Sequence, residues 1–98
     1  MKRFEIMGRD YYVYECTAQA LDIDDTEVQD ALLVISKWDS ELLVEVYFGY
    51  YFMPDTEEDF ITMLEDDNAC STYHETLETV RCPELGSGPE PWNNYCWN

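Results

Sequence analysis

Hydrophobic and polar positions along the chain change period several times, and each change marks an element. Residues 2–7 and 11–16 are rich in aromatic and β-branched side chains, with Gly8, Arg9 and Asp10 between them, the pattern of a β-hairpin. Asp24 and Glu27 then have the spacing of a helix capping box. Behind it Val28, Ala31, Leu32 and Ile35 recur at helical spacing, which predicts a helix over about 25–38. Leu42, Val44, Val46, Phe48, Tyr50 and Phe52 alternate, so 42–52 is expected to be a long strand bent at Gly49. A second box, Asp55 with Glu58, opens a predicted helix over about 56–67, buried through Phe60, Ile61 and Leu64.

The stretch 70–82 fits two periods. Tyr73, Leu77 and Val80 suit a helix and the threonines suit a strand; the helix is preferred. From Pro83 the chain is rich in Pro and Gly and reads as a tail, with Trp92, Tyr95 and Trp97 expected to dock on the core. The expected fold class is α+β: a small antiparallel sheet, made of the N-terminal hairpin and a long third strand, with two or three helices packed on it. One domain over 1–82, followed by the tail 83–98, is the expected organisation.

Charge changes this picture more than any motif. The 98 residues carry 22 acids against five Lys or Arg, a formal net charge of −17. Such acidity often accompanies disorder, yet 46% of residues are hydrophobic and 15% aromatic, enough for a packed core. Residues 1–20 balance three bases with three acids, whereas 21–70 hold fifteen acids against Lys37 alone. The charge therefore belongs to the middle of the chain, interleaved with apolar positions. A nucleic-acid-binding module would need a basic footprint, which is absent. No apolar run approaches the roughly 20 residues of a membrane span, and the first residues lack a secretory signal, so a cytoplasmic location is expected.

Candidate chemistry is sparse. Residues 21–26, Leu-Asp-Ile-Asp-Asp-Thr, resemble the first motif of the haloacid-dehalogenase-type phosphatases, which would make Asp22 a nucleophile and Asp24 an acid/base. The likeness spans six residues and follows no hydrophobic strand, so a helix N-cap is the preferred reading. As a calcium loop the same stretch fails, with Glu27 where glycine belongs and Leu33 where the closing glutamate belongs. Cys70, His74, Cys82 and Cys96 have no zinc-knuckle spacing, and buried free thiols are expected instead. No cofactor and no metal are expected, and the protein reads as a non-enzyme.

Duplex DNA carries one charge per roughly 1.7 Å of axis, so −17 corresponds to about 29 Å of duplex. A globule of this length has a radius of gyration of roughly 13 Å, hence a diameter of about 32 Å. In length, charge and fold class the chain resembles the small acidic DNA-mimic inhibitors of phages and mobile elements, of the anti-CRISPR and antirestriction type. That resemblance implies a non-catalytic inhibitor occupying the nucleic-acid groove of a bacterial defence complex or nuclease, in the host cytoplasm if phage-encoded. Its partner would be the basic DNA-binding surface of a host protein or ribonucleoprotein complex, with no direct nucleic-acid or membrane binding. The carboxylates expected to stand in for phosphates are Asp22, Asp24, Asp25, Glu27 and Asp30, then Asp55, Glu57, Glu58, Asp59, Glu65, Asp66 and Asp67. Glu41 and Glu45, interleaved with Leu43 and Tyr47, form a further face. The alternative is an acidic immunity or antitoxin-type protein that neutralises a basic toxin or nuclease away from its DNA groove.

Overall fold

The computed structural model describes residues 1–20, 28–38, 41–50, 52–66, 70–72 and 77–85. Among these the protein is mostly β. Strands β1 (Lys2–Ile6), β2 (Arg9–Ala20), β3 (Val28–Trp38), β4 (Glu41–Phe48), β5 (Cys70–Thr72) and β6 (Leu77–Arg81) share one antiparallel sheet, and a single short helix, α1 (Glu57–Leu64), precedes β5. The order is β1-β2-β3-β4-β5. Because β2 is long, one of its edges takes β1 along residues 9–13 and β6 along 17–20, while β3 runs along the other.

The α+β expectation, with two or three helices on a small sheet, is overturned at two places. Over its described part, 28–38, the predicted helix 25–38 is instead the central strand β3, hydrogen-bonded to β2 on one side and β4 on the other. Ala31, Leu32, Leu33, Val34, Ile35 and Ser36 are all buried. A surface helix buries one stripe, whereas a central strand covered on both faces buries every residue. An unbroken apolar run satisfies helical spacing by default, and its β-branched content is what favours the strand. The predicted helix over 70–82 is likewise replaced, by β5 and β6. The capping box at Asp24 and Glu27 lies outside the described residues.

The hairpin forms as expected, on a tighter turn. Ile6 pairs with Arg9, leaving Met7 and Gly8 as a two-residue loop with positive φ at both positions. The strand predicted over 42–52 ends at Phe48. Gly49, at φ +85°, reverses the alternation, so Tyr50 packs edge-on against Tyr47 on the other face and Phe52 is 85% exposed.

The sheet buries both sides. On one side Tyr14, Cys16, Ala18, Leu33, Ile35, Val46 and Val80 form a cluster that Leu85 joins. On the other, Phe4, Val13, Leu32, Val34 and Tyr47 are covered by Phe60 and Met63 of α1. Phe60 stacks on Phe4 at 4.4 Å and meets Tyr11 edge-on at 5.3 Å, which seats the helix. Thr56 rather than Asp55 is the N-cap of α1, its Oγ1 accepting from the Asp59 amide at 3.1 Å.

Candidate functional site: an acidic face built on the helix side of the sheet

Strand alternation decides where each carboxylate stands. On β3 the even positions share the side of Leu32 and Val34, and on β4 the odd positions share the side of Tyr47. Asp30, Glu41 and Glu45 therefore belong to the side that carries α1. Asp30 and Glu41 are exposed and Glu45 is half-buried. Leu43 lies between the two glutamates on the same side, 46% exposed, while Tyr47 is buried beneath the helix layer.

The helix adds a second tier. Glu57, Glu58 and Asp59 occupy its first turn, exposed, where the positive end of the helix dipole and the open amides favour negative charge. Asp55 precedes the cap, and its backbone carbonyl accepts from Lys2 Nζ at 2.8 Å. Glu65 caps the far end and is exposed. Asp66 follows, half-buried, accepting from the Tyr50 hydroxyl at 2.9 Å. Burial first, and then that carboxylate, push the Tyr50 hydroxyl up from its ordinary range, so it keeps its proton and stays a donor.

The structure thus brings Asp30, Glu41, Glu45, Asp55, Glu57, Glu58, Asp59, Glu65 and Asp66 to one side of the sheet. Asp22, Asp24, Asp25, Glu27 and Asp67 lie outside the described residues. The reading of Asp22 and Asp24 as a phosphatase motif falls there as well. So do His74, Cys96 and the aromatic residues Trp92, Tyr95 and Trp97.

One acid was missed. Glu15 is exposed and stands on the helix side, in step with Val13. The signal was available: β2 alternates from Tyr11 to Gln19, and Glu15 shares parity with Val13. Counting 1–20 as a neutral block hid it. The opposite side of the same hairpin is different in kind. There Arg3 pairs with Glu5 at 3.2 Å and with Asp10. The Asp10 hydrogen bond and charge in turn push the Arg3 guanidinium further up.

Two of the concavities that border the acidic side differ in their lining. One of about 300 Å³ runs between Tyr50 and Phe52 on one wall and Asp59 and Thr62 of α1 on the other. The larger, about 540 Å³, sits where β6 meets β2 and is lined by Glu15, Asp30 and Arg81 with the thiols of Cys16 and Cys82. Among the described residues no group of His, Cys, Asp or Glu is arranged to hold a metal ion, and no helix is long and apolar enough to cross a membrane. What this surface can do is present clustered, solvated negative charge with Leu43 and Phe52 exposed beside it. Comparison of the chain with protein-family models, with curated proteins and with solved structures finds no significant match.

Proposed function

We propose that the protein is a non-catalytic inhibitor that binds the basic, nucleic-acid-binding groove of a bacterial defence complex or nuclease in place of DNA. The observation that carries this reading is the one-sidedness of the charge. The described carboxylates of β3, β4 and α1 lie on the helix side, while Glu5 and Asp10 on the other side are paired with Arg3. Solubility needs a net charge of only roughly 2–8 for a small domain. A surplus gathered on one side instead favours steering towards a positive groove and complementarity once there. The molecule is 38 Å along its longest axis. Duplex DNA of that length carries about 22 charges, so −17 is of the same order as the DNA it would displace.

Capture from nuclease-treated bacterial lysate at graded salt, followed by a DNA-binding assay on the captured protein, tests the proposal. A DNA-binding complex that loses its DNA when the chain is added, with an affinity for the chain that falls as salt rises, is the expected result. Capture of a complex that still binds DNA with the chain attached would overturn mimicry and favour the immunity-type alternative. Charge reversal then maps the face. Glu41→Lys with Glu65→Lys should weaken capture far more than Glu5→Lys on the opposite side. Those two positions avoid the first turn of α1, where a lysine would also oppose the helix dipole.

A further inference from the structure

The large cavity on the β2–β6 seam exposes a feature that the acidic face does not use. Thr17 pairs with Arg81 and Ala18 with Val80. The paired register ends there; Cys16 and Cys82 are the next residues beyond it, and extending it by one step would set them opposite each other. Directly opposed residues in such a ladder have Cα atoms about 4.5 or 5.5 Å apart, and both spacings fall inside the range that a disulfide spans. Parity puts Cys16 on the side of Tyr14 and Ala18, and Cys82 belongs to that same buried cluster. Both are free thiols. Cys82 Sγ donates to the Glu15 carbonyl oxygen at 3.5 Å, which holds its sulfur against the residue before Cys16. Both cysteines also line the cavity of about 540 Å³, so a small reagent has a route to them despite their burial.

We propose that Cys16 and Cys82 are a cross-strand dithiol that closes to a disulfide by exchange with a small-molecule disulfide, clasping β6 to β2. One protein thiol, deprotonated, attacks the small disulfide and forms a mixed disulfide, releasing one small thiolate that takes up a proton. The second protein thiolate then attacks the protein sulfur of that mixed disulfide and expels the other small thiolate. Two protein thiols are oxidised and one small disulfide is reduced to two thiols. The clasp ties the end strand, and the turn through Leu85 that follows it, to the longest strand of the sheet. In a reducing cytosol the pair stays open, and it closes where the thiol pool is oxidised.

The full-length chain, incubated with 2-hydroxyethyl disulfide, provides the test; the reagent is uncharged and so is not repelled by the protein. Remaining thiols are alkylated, and the chain is cut with trypsin without reduction. Cleavage after Arg9, Lys37 and Arg81 leaves Cys16 in peptide 10–37 and Cys82 in peptide 82–98, together with Cys96. The expected result is a species joining these two peptides, lighter by two hydrogen atoms than their sum, with fragmentation placing the link at Cys82. The oxidised chain should melt several degrees above the reduced one, and a reductant should reverse the shift. A Cys96→Ser variant should give the same linked species. Alkylated Cys16 and Cys82 after oxidation, a link from Cys16 to Cys96, or a linked chain that melts lower would each overturn the proposal.

Discussion

Met7 and Gly8 close the first hairpin with φ of 52° and 81°. Two-residue loops of this kind match the twist of the strands, and they favour Asn-Gly because asparagine tolerates the left-handed region. Methionine gains nothing there, since its side chain is fully exposed. Met7→Asn is expected to stabilise the protein by about 1 kcal/mol, read as a higher urea midpoint at unchanged slope. Cys16 makes a second point at this scale. Burial, followed by its neighbours Cys82 and Asp30, pushes its thiol from 9.0 up to about 12. The folded chain therefore keeps this proton at pH values where the unfolded chain has lost it. The stability this provides is complete below about pH 9 and falls as pH rises towards 12, by at most ~4 kcal/mol. Urea unfolding between neutral pH and about pH 11 should show a shallower decline for Cys16→Ala than for the unaltered chain.

At the scale of elements, α1 has eight residues, too short to persist alone, and depends on its cap and its docking. Thr56→Ala should cost about 1 kcal/mol through the lost bond to the Asp59 amide, whereas Asp55→Ala should cost far less. Phe60 is fully buried between Phe4 and Tyr11, so Phe60→Ala should cost about 3–5 kcal/mol. In the inhibition assay that variant should also lose potency, because the helix acids lose their seat on the sheet. Asp55 and Thr56 show how far local reading reached. The sequence placed a helix start here and named the wrong cap, since both residue types serve and only backbone geometry selects between them. For β3 local reading failed. Its run from Ala31 to Ile35 is apolar throughout, and no period can be read from a pattern with no polar position in it. The turn at Gly49 was expected as a bend, but its positive φ, which sends Tyr50 to the face of Tyr47, is not legible in the alternation of 42–52.

For the whole molecule, the acidic side is a consequence of sheet formation. As a helix, 25–38 would have spread its acids around a cylinder. As β3, it sends Asp30 to the side that α1 covers and leaves the opposite side to the apolar cluster around Leu33 and Ile35. Screening should act on this face as a unit. In the assay above, inhibition should weaken steeply between low and physiological salt, with a smaller slope for Glu41→Lys/Glu65→Lys, because fewer charges are then neutralised on binding.

By itself the sequence determined the amount of charge, its confinement to the middle of the chain, the first hairpin and the presence of a capped helix near residue 57. Each rests on composition or on contacts between near neighbours. Only the tertiary structure decided that β3 is a strand, that the acids of β3 and β4 gather on the side covered by α1, and that Cys16 and Cys82 share one buried cluster. Those outcomes depend on which strands pair and in what register. Register is set by burying apolar side chains from distant parts of the chain on both faces of one sheet, and local periodicity carries no record of it.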